Sequence, residues 1–154
     1  MFDLTGTVAL ITGATKGIGR AIAFAMAEAG AKVVVSSRDA ERFAETAGAI
    51  NDARGDASGY ACNISHMDQL RSLVDHALAA HGRIDCLVCN AAVNPHYGPM
   101  ATITEEAYDK IMASNVKSSL WLCNMVAPQM AERRDGSIII ISSIAGMAGS
   151  KGIG

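Results

Sequence analysis

Eight consecutive residues near the N-terminus have a composition and spacing that could bind a phosphate group. They read Thr12-Gly13-Ala14-Thr15-Lys16-Gly17-Ile18-Gly19 and follow an apolar, strand-like run. In this spacing Gly13 permits a tight turn, Gly17 lets the backbone approach a pyrophosphate, and Gly19 allows close packing of the following helix. The N-terminus of that helix would present free N–H groups to the anion. An ordinary glycine turn is the alternative, but a strand, loop and helix in register favour phosphate binding.

Two polar residues further along the chain are candidates for chemistry. Ser143 follows an isoleucine-rich strand, at the end where open α/β sheets bind ligands. A serine that turns or caps the chain is the alternative, and Ser142 is its rival. Asn115 shares a helical face with Tyr108 and Met112, a face expected to meet the sheet. A buried amide needs partners, so Asn115 is either functional or satisfied by the backbone, and the sequence leaves both open.

Strands and helices alternate along the chain, and this order predicts the scaffold that positions these residues. Apolar runs predict strands at 7–12, 32–36, 58–62, 84–89 and 137–142. Between them lie amphipathic helices; one ends at Gly30, one has Ser65 as its N-cap, and one starts at Thr104, reaching about Glu132 with a disturbance near Pro128. We therefore predict one domain over residues 1–154, a doubly wound parallel α/β sheet with strand order 3-2-1-4-5 and a ligand crevice between strands 1 and 4.

The composition excludes several classes of protein. The 154 residues carry a formal net charge of −2, with 50% hydrophobic and 18% charged residues. Such an apolar chain is not disordered, and without a basic excess we expect no nucleic-acid partner. No apolar run is long enough for a membrane span, and we expect no signal peptide. The four cysteines are expected to be reduced thiols in a cytoplasmic protein, and Cys86 and Cys89, on one strand, point to opposite faces and predict no metal site.

Four segments in order carry a resemblance to a known family. They are the glycine loop, Cys89-Asn90-Ala91-Ala92 at the end of strand 4, Asn115-Val116-Lys117 in the long helix, and Ile141-Ser142-Ser143 after strand 5. Together they resemble the short-chain dehydrogenase/reductase family of classical type, over what corresponds to its N-terminal part. The resemblance implies a Rossmann-type fold and a nicotinamide dinucleotide cofactor.

The resemblance also implies a cofactor site and a cofactor preference. Where a carboxylate after strand 2 would bind the ribose hydroxyls, this chain has Ser37 and Arg38, with Lys16 nearby, and a guanidinium suits a 2′-phosphate. NADP(H) is therefore expected rather than NAD(H), although both bases could be solvated surface charges. Asn63 replaces the family's aspartate at the adenine. The expected cofactor residues are Gly13, Thr15, Lys16, Gly17, Ile18, Gly19, Ser37, Arg38, Asn63, Ile64, Asn90, Ala91 and Ala92.

By the same resemblance, Ser143 and Asn115 are the expected catalytic residues for hydride transfer between the nicotinamide and a ketone, aldehyde or secondary alcohol. The family's Tyr-x3-Lys acid/base pair would follow the serine just beyond Gly154. The resemblance is to a carbonyl-reducing subgroup, with a small-molecule substrate and a homo-oligomer formed through the long helix. The alternative is a truncated, non-catalytic nucleotide-binding or interaction module. Without further strands, strand 5 would be an exposed apolar edge.

Overall fold

Five parallel strands and the helices between them form a three-layer α/β sandwich. The structure, a computed structural model, describes residues 2–148, and the predicted domain's other residues, Met1 and 149–154, lie outside that part. The strands are β1 Val8–Thr12, β2 Lys32–Ser37, β3 Asp56–Ala61, β4 Cys86–Cys89 and β5 Ser137–Ile140. The main helices are α1 Gly17–Glu28, α2 Ala40–Asp52, α3 Met67–His81, α4 Glu105–Ile111 and α5 Ser118–Arg133.

The strand order in the sheet is β3-β2-β1-β4-β5, which confirms the predicted topology. All four strand pairings are parallel, and Ile11 of β1 lies between Val35 of β2 and Val88 of β4. Reversal of the strand order between β1 and β4 opens a crevice at the carboxyl ends of the strands. This edge of the sheet therefore carries the segments that follow each strand.

Alternate strand residues feed two hydrophobic layers, because successive side chains point to opposite faces of a sheet. Leu10 of β1 clusters with Leu73 of α3 and Leu122 of α5 on one face. Its neighbour Ile11 clusters with Ala23 of α1 and Ile50 of α2 on the other. Cys86 and Cys89 divide between the same two clusters, so the prediction that they face opposite ways is confirmed.

The predictions for the long helix were partly wrong. Thr104 caps α4 as expected, and its hydroxyl accepts a hydrogen bond of 3.2 Å from the N–H of Ala107. Pro128, however, lies inside a continuous α5, while the helix becomes a π-helical turn at Met112–Lys117. The buried neighbours Val126 and Met130 hold α5 in place although the proline removes one backbone bond.

The π-helical turn also changes which side chains face the sheet. A turn with i→i+5 bonds contains extra chain, so residues before and after it no longer share the face that a regular helix gives them. Tyr108 and Met112, expected on the sheet side with Asn115, are 48% and 38% exposed. Leu122, after the turn, is fully buried.

Two other local predictions have different outcomes. Gly30 follows α1 in the left-handed conformation, φ +98°, as its position at the helix end predicts. The prediction that Ser65 caps α3 was wrong: the N-cap is His66, which makes no side-chain capping bond. The Ser65 hydroxyl is engaged elsewhere, because it bonds to the hydroxyl of Ser114 at 2.8 Å.

Strand β5 differs from the inner strands in its exposure. Ile138, Ile139 and Ile140 are 37%, 42% and 56% exposed, so the predicted apolar edge is present within residues 2–148. In that same part of the chain, no helix combines the length and apolar character needed to cross a bilayer.

Candidate functional site

A cleft of about 980 Å³ lies at the carboxyl ends of β1, β2, β3 and β4. Every residue expected from the sequence to contact the cofactor lines this cleft except Gly19, which is buried beneath it. The lining members of that set are Gly13, Thr15, Lys16, Gly17, Ile18, Ser37, Arg38, Asn63, Ile64, Asn90, Ala91 and Ala92. Residues from four separate chain segments therefore meet at the place where a doubly wound sheet binds ligands.

The floor of the cleft is the glycine loop, in which two glycines have positive φ. Gly13 turns off β1 at φ +65°, and a Cβ there would lie 2.9 Å from the Cα of Ala91. Gly17, at φ +52°, opens α1, and a Cβ there would meet nothing within 4 Å. The N-cap Lys16 makes no side-chain capping bond. Open space thus adjoins the uncapped first turn of α1, which is an arrangement suited to a phosphate anion.

Asn90 and Thr12 lock the loop to the sheet. The amide nitrogen Nδ2 of Asn90 donates to the carbonyl oxygens of Thr12, at 3.0 Å, and Gly13, at 3.1 Å. The Thr12 hydroxyl oxygen accepts from the N–H groups of Asn90 and Ala91, both at 3.1 Å. Through these bonds Asn90 braces the ends of β1 and β4. The adjacent Ala91 and Ala92 also line the cleft, and their side chains are only methyl groups.

The end of the cleft beside β2 is positively charged. Ser37 accepts a hydrogen bond of 3.4 Å from the Thr15 hydroxyl, and so ties the end of β2 to the glycine loop. Arg38 and Lys16 are exposed and line the cleft, and neither belongs to an ion pair within residues 2–148. Their charges are free to attract an anionic group of a ligand.

Asn63 and Ile64 line the neighbouring part of the cleft, after β3, the strand that pairs with β2. The side-chain oxygen of Asn63 accepts a hydrogen bond of 3.1 Å from the N–H of Ser65, which closes a tight turn. Its backbone N–H donates to Oε1 of Gln69 at 2.7 Å. Asn63 is therefore fixed in place, although its oxygen already accepts one bond from the protein. The adenine contact expected of it stays a prediction.

Both polar atoms of the Asn115 side chain form hydrogen bonds with the backbone of Val93. Its Oδ1 accepts from the N–H of Val93 and its Nδ2 donates to the carbonyl of Val93, each at 2.8 Å. The sequence left two interpretations of Asn115 open. The structure agrees with the one in which backbone groups satisfy the side-chain amide. Asn115 lies one residue from the cleft wall at Ser114, and its catalytic role stays a prediction.

Ser143 is exposed at the sheet edge just beyond β5. Its hydroxyl oxygen accepts a hydrogen bond of 3.2 Å from the N–H of Ala145 and caps a short 3₁₀ turn, Ile144–Gly146. The pairing of Ile140 with Cys89 places it beside the segment that starts at Asn90. It does not line the cleft described above, and its catalytic role also stays a prediction.

Comparison with known proteins identifies the family. The sequence model of the short chain dehydrogenases matches residues 7–154. The chain belongs to the short-chain dehydrogenase family. The chain is 40% identical over 151 residues to the rabbit (Oryctolagus cuniculus) dehydrogenase/reductase SDR family member 4, covering 98% of this chain and 58% of that protein. An Arabidopsis thaliana relative, short-chain dehydrogenase/reductase SDRA, is 39% identical, with 94% and 56% covered. The chain thus spans little more than half of these curated relatives.

Solved structures of short-chain dehydrogenases have the same fold. A metagenomic short-chain oxidoreductase in complex with NADP superposes with a TM-score of 0.91 at 40% identity, covering 97% of this chain and 68% of that one. A 7α-hydroxysteroid dehydrogenase complexed with NADH and 7-oxo glycochenodeoxycholic acid gives a TM-score of 0.92 at 34% identity, covering 97% and 58%. Family members with either nicotinamide cofactor therefore share this architecture.

One wall of this short-chain dehydrogenase cleft was missed from the sequence. It comes from α4 and the π-helical turn, and it includes Asp109, Lys110, Ala113 and Ser114. Cys62, Ser65 and Val93 also line the cleft. A pattern that assumes a regular helix assigns these residues to the wrong faces, and no signal local to the sequence marks the π-helical turn.

Two buried cysteines of the short-chain dehydrogenase domain, Cys62 and Cys89, are poor nucleophiles. Burial raises the pKa of the Cys62 thiol to about 11 and that of the Cys89 thiol to about 12, from an ordinary value of 9.0. Both stay protonated at neutral pH, and a thiol is a weak metal ligand and nucleophile. Across residues 2–148 no three His, Cys, Asp or Glu side chains are grouped so that they could hold a metal ion.

Proposed function

We propose that the natural protein is an NADPH-dependent short-chain oxidoreductase that transfers hydride between the nicotinamide and a ketone, an aldehyde or a secondary alcohol. The observation that carries the proposal is the cleft at the switch between β1 and β4. It combines open space at Gly17 with two exposed cations, Lys16 and Arg38. A dinucleotide with an additional phosphate fits both features.

The charge at the β2 end of the cleft supports NADP(H) over NAD(H). The ribose of NAD(H) is bound by a carboxylate in many dinucleotide sites, whereas the 2′-phosphate of NADP(H) needs positive charge. Here Arg38 can offer two parallel N–H donors to phosphate oxygens, and Lys16 adds a second charge. Asp39, the next residue, already pairs with Arg42 at 3.1 Å and accepts from its N–H, so its carboxylate is engaged away from the ribose.

The proposed chemistry assigns roles to Ser143 and Asn115. When bound, the nicotinamide cofactor supplies the hydride. Ser143, beside the end of β4, would donate a hydrogen bond to the substrate oxygen, and Asn115 would hold the water of a proton relay. The general acid/base would be the family's Tyr-x3-Lys pair, expected beyond Gly154. A nucleotide-binding or interaction module that lacks this acid/base pair, and so is not catalytic, is the second candidate.

We further propose a cytoplasmic homo-oligomer with the properties of a carbonyl reductase. An exposed apolar stripe supports the oligomer: Tyr108, Val116, Leu120 and Trp121 run along α4, the π-helical turn and α5. Exposed patches of aromatic and aliphatic side chains like these are commonly buried where subunits pair. The net charge of −2 argues against a nucleic-acid partner.

The cofactor proposal is tested by titrating the natural protein with NADPH and NADH. We expect NADPH to bind more tightly, and Arg38→Ala to weaken NADPH binding about tenfold while leaving NADH unchanged, since a charge-assisted hydrogen bond contributes about 1.5–3 kcal/mol. Arg71→Ala, an exposed arginine on α3 outside the cleft, is the control. Equal affinities for the two cofactors in the unmodified protein would refute the preference.

Turnover separates the two candidate functions. An oxidoreductase should oxidise NADPH in the presence of simple ketones, with a rate that falls when Ser143 is replaced by alanine. A nucleotide-binding module should bind NADPH and show no turnover across a panel of ketones, aldehydes and secondary alcohols.

A further inference from the structure

The hydroxyls of Ser65 and Ser114 share a hydrogen bond of 2.8 Å across the cofactor cleft's wall. The two residues are far apart in sequence: Ser65 follows β3, and Ser114 lies in the π-helical turn. Ser114 is only 1% exposed, and both residues line the cleft. This bond therefore joins the β3 end of the cleft, where Asn63 and Ile64 lie, to the helix opposite.

The residue after Ser114 fastens the same turn to a different segment. Asn115 grips both backbone groups of Val93, in the loop after β4, at 2.8 Å each. Ser118 in turn bonds through its hydroxyl to the carbonyl oxygen of Ser114. Consecutive residues thus hold the π-helical turn between the β3–α3 turn on one side and the β4 loop on the other.

We infer that Ser65 is a positioning residue. Through its hydrogen bond to Ser114 it holds the π-helical turn in the position that lets Asn115 form its two hydrogen bonds with Val93. This inference rests on the proposed function, because the cleft that these bonds flank would be the cofactor site. The bonds would couple the β3 end of that cleft to its β4 end. The turn between them is short and its hydrogen bonds are irregular, so it depends on these side-chain bonds more than a regular helix would. Loss of the Ser65 hydroxyl leaves that of the buried Ser114 unpaired, which favours a shift of the turn.

The experiment measures hydrogen exchange at the Val93 amide in the natural full-length protein without cofactor, together with NADPH affinity. We expect Ser65→Ala and Ser114→Ala each to speed Val93 exchange and weaken NADPH binding, both by about fivefold, the effect of one typical hydrogen bond. The double variant should match either single variant, because the two substitutions remove the same bond. Ser65→Thr keeps the hydroxyl and should restore both values.

Controls separate positioning from general destabilisation. Ser72→Ala removes a hydroxyl bond of 3.0 Å to the Asp68 carbonyl on the exposed side of α3, and should change neither value. Exchange at Leu10, in the centre of the sheet, should be unchanged in the Ser65 and Ser114 variants. Unchanged Val93 exchange in Ser65→Ala, or an equal rise at Val93 and Leu10, would overturn the inference. If the unmodified protein binds no NADPH but Val93 still responds to Ser65→Ala, the proposed function fails and the positioning role stands.

Discussion

Three glycines of the cofactor loop are required for two different kinds of physical reason. A Cβ on Gly13 would collide with the backbone of Ala91, and one on Gly19 would collide with the carbonyl of Gly13 and the side chain of Asn90. Those two positions are governed by packing inside the protein. At Gly17 a side chain would meet only open space, so packing does not require a glycine there. The approach of a ligand and the positive φ remain as its requirements.

This difference yields a prediction for Gly17→Ala. Both Gly17, at φ +52°, and Gly82, at φ +75° at the end of α3, have open space where a Cβ would lie. Alanine at either position should lower the free energy of unfolding by about 1 kcal/mol, the cost of the left-handed conformation. Only Gly17→Ala should also weaken NADPH binding, because its methyl group would occupy the path of the pyrophosphate. Denaturant unfolding and NADPH titration of both variants check this, and equal affinities in the two variants would contradict it.

At the scale of elements, what could be predicted depended on how far apart in the sequence the bonded residues lie. The hydroxyl of Thr104 caps α4 through a bond to a residue three positions away, and such a signal is readable in sequence. The strand order followed from alternation and handedness alone. The π-helical turn could not be predicted, because the bonds that hold it reach Val93 and Ser65, distant in sequence. The bond between the Ser65 and Ser114 hydroxyls also engages the side chain that was expected to cap α3.

Within residues 2–148 the same pair of side-chain amide bonds occurs at Asn51 and at Asn115, which allows a matched test of Asn115. Asn51, at the end of α2, donates to the carbonyl of Ala57 at 2.9 Å and accepts from its N–H at 2.7 Å, as Asn115 does with Val93. Asn115→Ala should lower kcat of the natural enzyme at least about tenfold, because the turn and the loop beside the site would shift. Asn51→Ala breaks an equivalent clamp remote from the cleft and should leave kcat unchanged.

Stability and kcat together decide between roles for Asn115. Both alanine variants should unfold at lower denaturant concentration, with Asn51→Ala less affected because water can replace its exposed bonds. If Asn115→Ala loses stability while its kcat stays that of the unmodified enzyme, the side chain has a structural role alone.

At the scale of the whole molecule, two surfaces formed by regular elements within residues 2–148 each carry several exposed apolar side chains. One is the β5 edge with its isoleucines, and the other is the stripe that includes Leu120 and Trp121. The inner strands β1, β2 and β4 are covered on both faces by the helices. Charged residues make up 18% of the sequence. This low fraction is consistent with a core of ordinary size together with exposed apolar surface that is suited to contact another protein chain. None of the four stripe residues lines the cofactor cleft, although α4 and the π-helical turn contribute to both surfaces.

Pairing through the stripe predicts a specific effect of Leu120→Glu. Leu120 is 55% exposed in the middle of the stripe, where a carboxylate would be buried without a partner in a paired assembly. We expect this variant of the natural protein to raise the dissociation constant of the oligomer at least about tenfold, while the fold and NADPH binding are retained. Phe2→Glu replaces an apolar residue that is 92% exposed outside the stripe, and should leave the assembly unchanged. Sedimentation velocity over a range of concentrations gives the answer; a monomeric unmodified protein, or identical assembly of Leu120→Glu, would rule out pairing through this surface.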